Sequence, residues 1–293
     1  MEKVVFADVA IPESEPFYVA YDKGYFREEG LEVVRLTRKA GRDAAKEVIN
    51  GTADLAVAAD TIAMRAGLSG APIYVLATIA ENDRFVKIVA RKDRGIASPA
   101  DLAGKKIGVS RGTNGEFFLH AFLGGCDIPA GKVAIIDLNP DKIAPALERG
   151  EIDAAATWEP NISAAVKALG VNAVTFEDRD FYLMTWNLLA HRDYVKSRTE
   201  TVKKVLRALI RADELVDNNP AEGKAILGKY VQGISADMGH QVHIKLSQEL
   251  ILNLEDQARW AVRNGKGKTV PNYLEYIYPG PLRELRPETV TID

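Results

Sequence analysis

"RGEIDAAATWEPN" occupies Arg149 to Asn161. It reads as a helix end, a turn at Gly150, a small apolar strand and then an abrupt Trp158-Glu159-Pro160. An earlier stretch, "NGTADLAVAADTI" from Asn50 to Ile62, has the same grammar. A shift of 99 positions lays Gly51 on Gly150, Asp54 on Asp153 and Asp60 on Glu159. Each stretch is Gly-x-x-Asp, an Ala/Val strand, then an acid opening the next helix. The chain makes one device twice, which predicts two related βα units.

Working outward, strands and helices alternate through the first two thirds. "KVVFADVA", "LEVVRL", "ADLAVA" and "IYVLATIA" read as strands, with helices between them at "SEPFYVAYDK", "RDAAKEVIN" and "TIAMRAGL". Ser14 is the expected cap of the first helix and Pro16 lies in its first turn. The pattern restarts after Arg84 with "FVKIVAR", a turn capped by Ser98, "KIGVS", "NGEFFLHAFL", "VAIIDL" and "IDAAAT". "FYLMTWNLLAH" is a long extended run, and from Asp193 onward the chain reads as nearly all helix before an irregular, proline-rich tail. This order predicts an α/β protein with two lobes, each a mostly parallel sheet flanked by helices. Residues 1–85 plus 190–293 are expected to form lobe I and residues 86–189 lobe II. Hinge crossings are expected near 81–91 and 184–190, with a ligand cleft between the lobes, since ligands sit beyond the carboxyl ends of such strands.

Composition excludes several function classes. The 293 residues are 47% hydrophobic and 27% charged, with a formal net charge of −3. That suits an ordinary soluble protein of about two domains and carries no electrostatic footprint for nucleic acid. No run of about 18 apolar residues crosses a membrane. The single cysteine, Cys126, excludes an internal disulfide and says little about compartment. No signal peptide precedes "MEKVVFADVA", which leaves a cytosolic protein or a mature exported one.

Five stretches in order carry a resemblance: "PFYVAYDKGYFREEGLEV", "VINGTADLAVA", "DLAGKKIGVSRGTNGEF", "ALERGEIDAAATWEP" and "NYLEYIYPGPLREL". With them the chain resembles the solute-binding proteins of ABC importers in the nitrate/sulfonate/taurine and thiamine-pyrimidine-precursor (NMT1/THI5-like) group. The resemblance implies the type II periplasmic binding fold, a non-catalytic capture role, an extracytoplasmic location with the signal peptide removed, and a membrane permease as partner. The protein is expected to be a monomer without cofactor or metal. The solute is expected to be a taurine-like or sulfonate zwitterion, or an aminopyrimidine.

Candidate ligand residues follow. Trp158 offers an indole face and Glu159 a carboxylate for an ammonium or polarised N–H. The plain alternative is that Glu159 caps the next helix and Trp158 is packing. Asp60 and Thr61 form the partner device, with helix capping as the alternative for Asp60. In "SRGTNGEFF", a strand runs into a helix N-terminus whose free N–H groups suit an anion, which makes Ser110, Arg111, Thr113 and Asn114 candidates. Ser14, Glu15 and Phe17 are expected on the opposite wall. Trp186 is expected either at the cleft floor or in the core. His240 and His243 have no third partner in sequence and predict no metal site. An enzyme on this fold, of the menaquinone-pathway or thiamine-pyrimidine-synthase type, is the competing reading; the synthase's cysteine-rich motif is absent. A ligand-sensing domain acting with another protein is a third.

Overall fold

The computed structural model describes residues 1–177, 182–232 and 239–292. Part of "FYLMTWNLLAH", including Phe181, therefore lies outside the described residues. Among those described are strands β1 (Glu2–Ala7), β2 (Leu31–Arg35), β3 (Leu55–Ala59), β4 (Ile73–Asn82), β5 (Lys87–Arg91), β6 (Lys106–Val109), β7 (Ala134–Asp137), β8 (Ala154–Thr157), β9 (Ala173–Phe176), β10 (Met184–His191) and β11 (His240–Lys245). The chain divides into two compact units. One comprises Met1–Asn82, Met184–Gln232 and His240–Asp293; the other comprises Asp83–Leu183 and Gly233–Gly239.

In the first unit six strands lie in the order β2-β1-β3-β10-β4-β11. β1 pairs parallel with both β2 and β3, as the βα alternation predicts. β10 runs antiparallel between β3 and β4, and β11 is antiparallel at the β4 edge. The second unit repeats the plan with five strands, β7-β6-β8-β5-β9. Its β6 is parallel to β7 and β8, and β5 is antiparallel between β8 and β9. Each sheet is therefore mixed rather than mostly parallel. The strands that return through each sheet, β10 and β5, come from elsewhere in the chain order and enter head to tail.

The repeated device has a structural role. Gly51 and Gly150 have φ of 72° and 70°, a left-handed conformation that glycine adopts without a Cβ clash. Three residues on, Asp54 Oδ2 accepts the Val5 N–H at 2.7 Å and Asp153 Oδ2 accepts the Lys106 N–H at 2.9 Å. Each aspartate thus ties the start of its own strand to the neighbouring parallel strand. β3, "LAVAA", and β8, "AAAT", are buried along their whole length. Small side chains let helices pack on both faces of such central strands.

In the first unit the core includes Phe6, Phe17, Tyr18, Leu76, Ile79, Leu188 and Leu209, all fully buried. Phe6 and Phe17 stack at 4.2 Å between ring centroids, slightly closer than the roughly 4.5–7 Å usual for aromatic pairs. Asp8 is also fully buried; it accepts from Tyr18 Oη at 2.8 Å and pairs with Arg35 at 2.7 Å. Burial first, and then the Asp8 charge, push the Tyr18 hydroxyl well above the ordinary phenol range, so it remains a donor. The second unit's core gathers Val89, Ile143, Leu147, Ile152, Ala155, Ile162 and Leu169.

Two local expectations need correction. The region after Asp193 is not all helix, because β11 forms an edge strand there. Ser14 precedes the helix Glu15–Asp22 without capping it; its hydroxyl accepts the Trp186 Nε1–H at 3.1 Å. The tail packs on the first unit: Tyr273 is fully buried and its hydroxyl donates to the Met64 carbonyl at 2.8 Å. Among the described residues no helix is long and apolar enough to cross a membrane.

Candidate functional site

In the first unit the carboxyl end of β3 runs directly into the helix Asp60–Ser69. Asp60 is fully buried. Its Oδ1 accepts the Thr61 N–H at 2.7 Å; its Oδ2 accepts the Asn253 amide at 2.6 Å and the Thr185 N–H at 3.4 Å. The Thr61 N–H, one of the groups expected for a ligand, is thus held by the preceding side chain. Carboxylates with several N–H donors are well stabilised even when buried.

Other acids lie in the same unit. Glu13 Oε1 accepts the Asn82 amide at 2.7 Å. Glu15 Oε2 lies 2.6 Å from His240 Nε2, with both side chains buried. Glu15 Oε1 has no hydrogen-bond partner. Glu81 meets Lys245 at 2.9 Å on the β4–β11 edge. Trp186, held by Ser14, packs on Gly41, where a Cβ would come within 3.1 Å of its ring. Phe17 sits in the core against Phe6 rather than on an open wall.

In the second unit β6 ends at Val109 and the helix Asn114–Gly125 begins five residues later. The connecting loop is closed by its own bonds. Ser110 Oγ donates to the Leu138 carbonyl at 2.7 Å and Thr113 Oγ1 to the Ser110 carbonyl at 2.7 Å. The Arg111 N–H goes to Asp137 Oδ1 at 3.0 Å, and the Gly112 N–H to Glu116 Oε2 at 2.9 Å. The Arg111 side chain is exposed. The Asn114 Oδ1 accepts the Gly115 N–H at 3.1 Å, while its Nδ2 is buried without a partner.

The end of β8 lies against this helix start. A Cβ on Gly115 would be 3.2 Å from the Ala156 carbonyl and 3.5 Å from the Trp158 ring. A side chain there would be tight against the Ala156 carbonyl. Trp158 is nearly buried and stacks on Phe85 with centroids 6.1 Å apart and planes 13° apart. Thr157 Oγ1, at the same strand end, is buried without a partner. Glu159 follows, half-buried, and its Oε2 accepts the Ser163 N–H at 3.1 Å in the first turn of the helix Asn161–Leu169. Pro160, not Glu159, is the N-cap of that helix; Glu159 lies one residue before it and holds a first-turn N–H with one carboxylate oxygen.

Within the first unit the structure joins Ser14 to Trp186 and Asp60 to Thr61. Within the second it joins Ser110 to Thr113 and sets Gly115, next to Asn114, close to Trp158. Sequence reasoning overlooked Glu13, Asn82, Asn253 and His240 in the first unit, and Phe85, Glu116 and Thr157 in the second. Glu116 carried a readable signal, an acid in the first turn of a helix. Asn253 carried none, being 193 residues from Asp60.

The family description "NMT1/THI5 like" matches residues 11–223. The taurine-binding periplasmic protein of Escherichia coli K12 is 26% identical over 209 residues, 71% of this chain and 65% of that protein. The alkanesulfonate-binding protein SsuA from Xanthomonas axonopodis pv. citri, bound to MOPS, superposes with a TM-score of 0.80 at 18% identity, over 95% of this chain and 99% of that one. The desulfurization enzyme DSZB superposes with a TM-score of 0.68 at 14% identity, over 98% of this chain and 100% of that one. The structural likeness establishes the two-lobed α/β fold of periplasmic binding proteins, and the matched residues establish the lineage: the chain belongs to the NMT1/THI5-like family.

Proposed function

We propose that this protein captures a small organic solute outside the cytoplasm and delivers it, unchanged, to the membrane permease of an ABC importer. The observation that carries this reading is the duplicated device. Each unit carries, just past a buried central strand, an acid that holds a backbone N–H at the start of the next helix, Asp60 in one and Glu159 in the other. In the same unit as Glu159, two polar atoms, Asn114 Nδ2 and Thr157 Oγ1, are buried without a hydrogen-bond partner. Buried polar groups are nearly always satisfied in folded proteins, so such atoms mark a place for a ligand. The taurine-binding and alkanesulfonate-binding relatives support the same class of role.

The residues proposed to meet the solute are Ser14, Glu15, Asp60 and Thr61 in one unit, and Asn114, Thr157, Trp158 and Glu159 in the other. One solute engages both sets, and the two units close on it. Because it binds the closed form better than the open one, its differential affinity drives closure.

An enzyme on the same fold is the second reading, favoured by the likeness to the desulfurization enzyme. The cysteine of this chain argues against a thiol mechanism at this site. Cys126 follows the far end of the 12-residue helix that Asn114 begins, about 18 Å along its axis. Native mass spectrometry of the purified protein tests the choice. A retained small molecule at one per chain, recovered unchanged after incubation, is the expected result. Its conversion to a product replaces capture with catalysis.

A further inference from the structure

Three consecutive residues, Glu13, Ser14 and Glu15, each hold a different strand of the first unit. Glu13 Oε1 accepts the Asn82 amide at 2.7 Å, Ser14 Oγ accepts the Trp186 Nε1–H at 3.1 Å, and Glu15 Oε2 meets His240 Nε2 at 2.6 Å. Asn82 is the last residue of β4, Trp186 the third of β10 and His240 the first of β11. β4 lies between β10 and β11, and the held ends are side by side. Asn82 is opposite both Met184 and His240, and Trp186 is opposite Ala80. Glu13, Ser14, Glu15, Asn82 and Trp186 are at most 3% exposed, and the His240 side chain is 6% exposed.

These ends are also where the chain leaves the first unit and returns to it. The second unit takes Asp83–Leu183 and Gly233–Gly239, so borders fall directly after Asn82, directly before Met184 and directly before His240. One turn of the first unit thus grips the chain at three of its borders. An ordinary helix start does not require this, and Ser14 does not cap the helix that follows it. Buried carboxylates are costlier to place than apolar side chains of like size, but their hydrogen bonds are directional and fix one arrangement. The third grip is also given room. A Cβ on Gly223, inside the helix Pro220–Leu227, would lie 2.6 Å from Glu15 Oε1, although glycine lowers helix stability relative to alanine.

Resting on the capture reading, we infer that the turn Glu13–Glu15 is the fixed root of the hinge. It holds the three strand ends as one block, so that closure leaves β4, β10 and β11 unbent up to Asn82, Met184 and His240. Its three residues are positioning residues. Holding strands leaves Ser14 its hydroxyl proton and Glu15 its second oxygen, so the role does not compete with solute contact.

Hydrogen exchange of the whole protein, freed of any retained solute, tests the block. Ser14→Ala removes the grip on β10 alone. Gly223→Ala displaces the Glu15 carboxylate and loosens the grip on β11 alone, while its helix propensity favours folding. In each variant the slow amides of Ile79–Asn82, Met184–Asn187 and His240–Val242 should all exchange at least about fivefold faster. Those of β1 and β2 should keep their rates. Asn82→Ala, which cuts the grip on β4, replaces either variant that fails to fold. Acceleration confined to the strand whose grip was cut overturns the inference. So does acceleration spread evenly over β1 and β2, or none in any folded variant. Strands that loosen independently would refute the block and leave capture intact. Conversion of a retained solute to product would refute capture and leave the block standing.

Discussion

Asp60 makes a sharp prediction at the scale of one residue. Its two oxygens receive the Thr61 N–H, the Asn253 amide and the Thr185 N–H. Asp60→Asn keeps the shape but turns one acceptor into a donor, which then faces another donor. The ligand-free protein should lose about 1–3 kcal/mol, seen as a lower urea midpoint with an unchanged slope. Glu159→Gln behaves differently. The amide oxygen still accepts the Ser163 N–H, so stability should fall by less than about 1 kcal/mol. Affinity for the captured solute should fall by roughly 2–5 kcal/mol, as for the loss of a buried charge partner. Equal affinity, measured by titration calorimetry, would confine Glu159 to holding that N–H. The repeat made both positions readable, since Asp60 and Glu159 occupy equivalent places. Their partners were not readable. Asn253 lies 193 residues from Asp60, and His240 lies 225 from Glu15; no local pattern encodes such pairings.

At the scale of elements, the clearest test concerns the helix Thr199–Asn218 and the tail. Asp213 on that helix is buried and holds the Ile244 N–H of β11 at 3.4 Å and Arg286 at 2.8 Å. Burial raises its carboxyl above the ordinary range, and the Ile244 and Arg286 contacts only partly oppose that. A raised carboxyl costs stability as pH rises through it and ionises. Arg286→Ala should therefore destabilise by about 2–3 kcal/mol at pH 8, where the carboxylate is left without its counter-charge. The loss should shrink toward pH 4 as the carboxyl protonates; thermal melts across that range will show it, and a pH-independent loss would contradict the account. The parallel cores of both sheets were legible from the βα alternation, as were the Gly51 and Gly150 turns. β11 was missed although "HQVHIK" alternates, with Val242 and Ile244 buried and Gln241 exposed. Six residues between long helices gave the two-residue period little weight against the surrounding helical pattern. The antiparallel entry of β10 and β5 is a matter of which strands meet, and hydrophobic pattern does not report it.

At the scale of the molecule, capture predicts a change in compactness. If one solute engages Asp60 in one unit and Trp158 in the other, saturating ligand should reduce the radius of gyration in solution scattering. The chain has three tryptophans. Trp158 stacks on Phe85 and Trp186 donates to Ser14, so they report on separate units. Ligand should shift the fluorescence of Trp158, and Trp158→Phe should remove much of that signal while the compaction persists. Tight binding without compaction would refute the closing mechanism and leave the fold untouched.

The position of β10 bears on how this protein is made. β3 and β4 both belong to the first 82 residues, yet they do not pair with each other; β10 lies between them. Until a ribosome has added Met184 to His191, β3 has one open edge and β4, whose other neighbour β11 comes later still, has no partner on either side. The segment from Asp83 to Leu183 contains all five strands of its own sheet and can close as soon as it emerges. Synthesis should then complete the sheet of the inserted unit before that of the unit that begins the chain. A released chain that ends at Leu183 should protect β5 to β9 from hydrogen exchange, while β3 and β4 still exchange freely. Such a chain, with its edges unpaired, is the natural substrate for a holding chaperone.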